Sequence, residues 1–357
     1  MTHARGAGIA AGTGAAGTPA RYRRITRQRT WLLAALAAAL LASVAADVGT
    51  GPSGLPLATL VQGLLDPQAL APAERVILWN LRLPHALLAA AAGASLGLAG
   101  AETQTALNNP LASPYTLGIS WAAAVGAVAA IVLGLEGIGT ALLLPLAAFA
   151  MALAAGLAIL ALAQVFGSQT DTVILFGIAL VFACTAVISL LQFLGDAETV
   201  QQSVVWMMGS LARASWNGVG LIALTFALAA PRALRGAWAM TLLRGGEDQA
   251  TSAGLSVHRM RIAALLRCSL LTAVTVAFVG PIGFVGLVGP HIARLLLGED
   301  HRFYLPGAAL TGALLLSLAA IASKLLIAGV VIPVGIVTAM IGVPVFVALI
   351  VARRRRL

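Results

Sequence analysis

Residues able to transfer protons, hold metals or attack a substrate are few in this chain and lie far apart. The five histidines, His3, His85, His258, His291 and His301, are scattered, and the two cysteines, Cys184 and Cys268, both fall in apolar runs that suggest packing. No Walker-type glycine loop, paired carboxylates, Ser/His/Asp set or clustered His and Cys ligands occur at usable spacing. The chain therefore offers no site for hydrolysing ATP and none for covalent chemistry. His291 follows a proline and reads as the start of a helix that carries Arg294, not as a ligand. The densest feature is GPIGFVGLVGPHIARLLLGEDHR, Gly280 to Arg302, where glycines and prolines break an apolar segment just before a charged loop. An ordinary soluble helix would lose roughly 1 kcal/mol per Gly and 3 per Pro there. In a membrane such breaks mark close helix packing or a lined cavity, which points to a transporter.

The elements that must position these residues are membrane spans. Of 357 residues 60% are apolar and 10% charged, with mean hydropathy +0.97, far from a soluble domain. The expected fold is an all-α polytopic membrane protein of about ten transmembrane helices, each of about 17–25 apolar residues. Apolar runs place them at 31–48, 84–104, 113–134, 141–164, 171–195, 215–231, 257–280, 281–298, 305–326 and 333–351. Residues 1–30 read as a basic, disordered cytoplasmic leader, 31–351 as the transmembrane domain and 352–357 as a basic cytoplasmic tail. With both ends inside, 17 of the 22 Lys and Arg residues fall on the cytoplasmic side, leaving Arg75, Arg82, Arg213 and Lys324 outside and Arg267 within a span. The Arg-rich stretch 21–29, the apolar run from Trp31 and Val44-Ala45-Ala46 also imitate a cleavable signal peptide, but removing that span would put the basic tail on the wrong side. The net charge of +10 flanks apolar spans without aromatic interleaving, so it suits an anionic lipid leaflet and not nucleic acid.

Two loops on the cytoplasmic side carry more than connection. QTALNNPLASPYTLG, Gln104 to Gly118, is polar and proline-rich yet uncharged. The longest loop, 232–257, contains Glu247 to Ala253, a helix of two turns expected between Gly245-Gly246 and the stop residue Gly254. A short helix there suits docking to a soluble partner. The outside segment from Gly49 to Leu83, punctuated by prolines, has room for a surface helix or a partner contact. An ion-driven carrier would need ionisable groups deep in its spans, each costing at least about 2.5–3.5 kcal/mol. Glu102 and Asp171 fall near inner ends, Lys324 near an outer end, and Arg267 alone lies deep, which favours drive by a partner.

Seven motifs in order, LRLPHALLA, AGAETQ, NNPLASPYTLGIS, VVWMMGSL, the GE and AGLSV pair, GPIGFVGLVGPHIARLLLGEDHR and IPVGIVTAMIGVPVF, resemble the FecCD family from Leu81 to the C-terminus. These are permease subunits of ABC importers for iron-siderophore complexes and cobalamin. The resemblance implies the type II ABC importer permease architecture, a second permease subunit (a copy or a paralogue), a pair of cytoplasmic ATPases that use ATP and Mg, and an extracytoplasmic binding protein. The chain itself would bind no cofactor. It implies that Glu247, Ala250, Ala253 and Gly254 form the ATPase-coupling helices, with Ala253 replacing the family's leucine. It implies a cytoplasmic gate at Asn109, Leu111, Thr170 and Asp171, although Asp171 also suits a helix cap. Binding-protein docking would fall to Arg82, His85 and Lys324, His85 standing where an arginine is usual. AGAETQ and NNPLASPYTLGIS look most like the iron-chelate branch, so iron(III)-siderophore leads as cargo while heme and cobalamin stay open. An ion-coupled secondary carrier remains the contrasting class.

Overall fold

The computed structural model describes residues 18–51, 53–135, 142–166, 170–327 and 329–354, with side chains between Arg21 and Ala348. Arg5 of the leader and Arg355 and Arg356 of the tail lie outside the described residues. Helix α1 (Thr18–Gly49) joins the basic run to the first apolar run in one rod. Residues 18–30 are thus helical and not an unstructured leader. Between Tyr22 and Val48 the sequence holds no Gly or Pro and is rich in Ala, Leu and Arg, so nothing interrupts the helix.

The segment beyond α1 does carry the surface helix for which the sequence left room. It folds as α2 (Leu57–Leu65), a single 3₁₀ turn (Pro67–Ala69), α3 (Pro72–Arg75) and a π-helical run (Val76–Arg82) that continues into α4 (Leu83–Ala106). Then follow α5 (Ile119–Val132), α6 (Leu143–Val165), α7 (Thr170–Leu194) and α8 (Ala197–Met207), a helix the sequence reading did not foresee. Its N-cap is Asp196, whose side chain accepts the Thr199 amide at 2.8 Å. The chain continues through α9 (Trp216–Arg235), α10 (Ala237–Arg244), α11 (Glu247–Ser252), α12 (Val257–Val279), α13 (Val285–Leu297), α14 (His301–Leu325) and α15 (Val334–Arg354).

Each expected span has its helix, but they are unequal. Among the described residues seven are long and apolar enough to cross a membrane, while Ile119–Val132, Val285–Leu297 and Val334–Ala348 are shorter apolar helices. At 1.5 Å per residue, α13 spans only about 20 Å of a hydrocarbon layer about 30 Å thick. Its shortness has a local cause. Gly280 at φ 72° and Phe284 at φ 66° turn the backbone out of the helix, so residues 281–284 are not helical as expected. Helix α13 starts at Val285, and Pro290 lies inside it instead of starting it.

Helix α4 runs through the middle of the bundle, buried almost without break from Leu96 to Ala106. Glycines let its neighbours reach it backbone to backbone. A Cβ at Gly93 would stand 2.4 Å from the Gly312 carbonyl oxygen of α14, and one at Gly100 would stand 1.8 Å from that of Gly286 in α13. Small residues serve this purpose where dispersion and not hydrophobicity drives association. A separate apolar core joins α5, α6, α7 and Trp206 of α8 to one face of α12, through residues such as Ala123, Ala152, Val173 and Ala273.

Candidate functional site

Most arginines gather at one end of the bundle, called here the basic end. There the chain leaves α10 at Gly245, turns at Gly246 (φ 132°), forms α11 and leaves it at Gly254 (φ 80°). The helix expected from the sequence is present between the expected glycines. Glu247, Ala253 and Gly254 are exposed on this elbow. Ala250 is fully buried, packed with Ala106, Met240, Leu243 and Ala264, so it holds the elbow against the bundle and offers nothing to a partner.

The loop after α4 carries Asn109 and Leu111. The Asn109 side-chain oxygen accepts the Leu111 amide at 2.8 Å, a local turn that sets the loop's shape. Thr170, the first residue of α7, donates its hydroxyl to the Leu107 carbonyl at 2.8 Å. The structure therefore brings Thr170 to the loop of Asn109 and Leu111, with Asp171 beside it, exposed in the first turn of α7. A carboxylate there also complements the helix dipole.

Around these residues lies a polar network that the sequence reading missed. Arg261 of α12 is buried, donates Nε to the Ala106 carbonyl at 2.7 Å, and pairs through Nη2 with Glu247 of α11. Arg244 at the end of α10 binds the Asn108 side-chain oxygen and pairs with Glu299 at 3.1 Å. Arg294 of α13 donates to Gln104 at 3.1 Å and to the Tyr304 hydroxyl at 3.0 Å. Thr105 and His301 are hydrogen-bonded at 2.7 Å. Only the arginine density of these loops hinted at such contacts.

At the far end the three expected docking residues do come together, but they face inward. Lys324 Nζ lies 2.8 Å from Asp47 Oδ1, and His85 Nδ1 lies 3.3 Å from Asp47 Oδ2. Asp47, on α1, is fully buried. Arg82 is 6% exposed and donates to the Val48 carbonyl at 3.0 Å, the Gly49 carbonyl at 3.3 Å and the Ser53 hydroxyl at 2.8 Å. These side chains thus fasten α14 and the start of α4 to the end of α1. The signal was available, since Asp47 is the acid that ends the first apolar run.

The deep arginine also has a partner. Arg267 of α12 forms an ion pair with Glu102 of α4, which is fully buried, and Nε lies 2.9 Å from Oε1. Next to the pair, Thr103 donates to Cys268 Sγ at 2.9 Å, so this cysteine is a packed acceptor. Among the described residues no group of three or more His, Cys, Asp or Glu stands together to hold a metal ion.

A bundle of long apolar helices with an exposed helical elbow at one end has the build of a membrane transport subunit. The chain belongs to the FecCD transport family, whose sequence pattern matches residues 35–352. It is 41% identical over 283 residues to the uncharacterised ABC transporter permease protein YvrB of Bacillus subtilis strain 168, covering 78% of this chain and 80% of that one. It is 35% identical over 305 residues to the vitamin B12 import system permease protein BtuC of Salmonella arizonae, covering 84% and 92%. The hemin transport system permease protein HmuU of Yersinia pestis is 36% identical over 282 residues, covering 78% and 84%. Among solved structures, an inward-facing metal-chelate type ABC transporter superposes with a TM-score of 0.79 at 30% identity, covering 90% of this chain and 99% of that one. This chain is accordingly the permease of an ABC importer with the type II permease fold.

Proposed function

We propose that this permease moves iron(III)-siderophore complexes across the cytoplasmic membrane by alternating access. It pairs with a second permease subunit and is driven by two ATPases that bind at its basic end and consume ATP with Mg. That end is cytoplasmic on the arginine count, which puts both termini inside. The observation that carries the reading is the α10–α11 elbow, an exposed helical projection held by a buried Ala250 and by the Glu247–Arg261 pair. Such a projection suits a cleft in a soluble partner. Motion there tilts the permease pair, and the loop of Asn109 and Leu111 with Thr170 and Asp171 opens or closes the inner mouth.

The path between subunits is broad and binds its cargo weakly, lined mainly by α7 and α15. Specificity then resides in an extracytoplasmic binding protein seated on the far end. His85 and Lys324 through Asp47, and Arg82 through the Val48 and Gly49 carbonyls and Ser53, set the shape of the rim on which that partner sits, where charges mainly steer and align. The superposition on a metal-chelate type transporter supports a chelate cargo. The relatives named for vitamin B12 and hemin support a second reading, in which one of these is the cargo.

The test is uptake of radiolabelled iron, as its siderophore complex, by iron-starved cells with and without the gene, alongside labelled cobalamin and hemin. Loss of iron uptake alone supports the proposal. Loss of cobalamin or hemin uptake with normal iron uptake replaces the cargo. Uptake that survives without a co-purifying ATPase and collapses with an uncoupler would instead establish an ion-coupled carrier.

A further inference from the structure

Five consecutive residues at the basic end of α4 each bind a different helix. Gln104 accepts from Arg294 of α13, and Thr105 bonds His301 of α14. The Ala106 carbonyl accepts from Arg261 of α12, the Leu107 carbonyl accepts from Thr170 of α7, and the Asn108 side chain accepts from Arg244 of α10. The sequence explains why the two carbonyls are free for this. A helix end leaves its last carbonyls without amide donors. Four residues beyond Ala106 stands Pro110, which has no N–H, and four beyond Leu107 the Leu111 amide is committed to Asn109.

We propose that Gln104–Asn108 is the joint that carries movement of the α10–α11 elbow to the first turn of α7, with Arg261 and Arg244 as its positioning residues. This rests on the reading of the elbow as the ATPase seat. Two of the five grips come from the elbow itself: Arg244 ends α10, and Glu247 of α11 acts through Arg261. A third grip belongs to Thr170 at the gate. One planar guanidinium, that of Arg261, holds α11 by its Nη2 and α4 by its Nε, so the two helices cannot shift independently without breaking a bond. Asn108 at φ 43° sits in the left-handed region, which asparagine enters more readily than most residues, so the chain turns sharply between the grips.

The experiment uses the permease with its own ATPase and binding protein in inside-out vesicles. Leu111→Cys is the reporter, because Leu111 is 51% exposed while Cys184 and Cys268 are buried. A membrane-impermeant maleimide reads its labelling rate with and without ATP and vanadate. In the otherwise wild-type complex the rate should change about five-fold or more, the scale of a coupling between sites. With Arg261→Gln the ATPase should still co-purify and hydrolyse ATP, because the buried Ala250 still anchors α11 and a residue 3% exposed does not touch the partner, while the labelling response falls below about two-fold. Arg261→Lys keeps the charge but loses the planar fork that reaches α4 and α11 together, so its response should also fall below about two-fold. A purely structural role would not give this split.

A reporter indifferent to nucleotide, a full response in Arg261→Gln, or loss of the ATPase from that variant overturns the joint. If the Gln variant fails to insert, Arg244→Gln carries the same test with the same expected loss of response, and a full response there overturns the proposal. Failure of any ATPase to co-purify with the wild-type chain would instead refute the reading of the elbow.

Discussion

Replacing Arg267 by Met strands the Glu102 carboxylate inside the bundle. Glu102 is fully buried and Arg267 is 20% exposed at its side chain, so the arginine keeps some access to water and the acid keeps none. Breaking a buried pair from one side costs about 3–5 kcal/mol, whereas replacing both partners by apolar groups is often close to neutral. The partial exposure of Arg267 argues for the lower figure, about 3 kcal/mol. At about 2 °C per kcal/mol, the low end of the range for larger chains, Arg267→Met should melt about 6 °C below wild type. Glu102→Met should lose less, because the remaining arginine can extend its long stem toward water. The double variant Glu102→Met with Arg267→Met should return to within about 2 °C of wild type, about 1 kcal/mol. Melting of the detergent-solubilised chain, followed by fluorescence-detected size exclusion after heating, gives all four corners of the cycle. Simple addition of the two single losses in the double variant would refute the claim that the pair acts as a unit.

Gly100→Val should prevent accumulation of monodisperse protein, because even its Cβ would stand 1.8 Å from the Gly286 carbonyl; a normal elution profile would contradict the packing of α4 on α13. Asp47→Asn should cost about 3–5 kcal/mol by leaving Lys324, 7% exposed at its side chain, without its counter-charge. Adding Lys324→Met should recover most of that loss of melting temperature, and no recovery would mean that Asp47 acts otherwise. Glu247→Arg places a second cation beside Arg261 on the elbow, so the chain should still insert while ATPase co-purification and uptake are lost. Normal uptake by that variant would remove the elbow from the coupling path.

Spans were legible because hydrocarbon imposes its length on the sequence. The elbow was legible for a related reason, since Gly246 and Gly254 adopt backbone angles that glycine alone takes easily and so punctuate α11 in the sequence. Helix α8 was not, because an eleven-residue helix outside the apolar spans carries no length signal and its mark is a cap at Asp196. The shortened α13 was hidden by its composition: Pro281 to Phe284 is apolar enough to read as span, while the break depends on dihedral angles. The polar network was the least readable. Arg267 and Glu102 are 165 positions apart, as are Thr103 and Cys268, and nothing local in either segment announces the other. The inward turn of Arg82, His85 and Lys324 has the same origin. Charges at a span's end read as outward-facing until Asp47 is placed among them.

The glycine contacts that lock α4 to α13 and α14 have a mechanical meaning. Backbones in direct contact leave no side-chain cushion, so these three helices form a single plate that resists bending. The helices from α5 to α8 make a second plate with its own apolar seam against α12. Stiff plates that meet along such a seam are built for sliding and rotation, as in shear motions of packed helices. A push at the basic end is then not spent in flexing α4. A displacement carried rigidly along the 24 residues of α4, at 1.5 Å per residue, would reach about 35 Å.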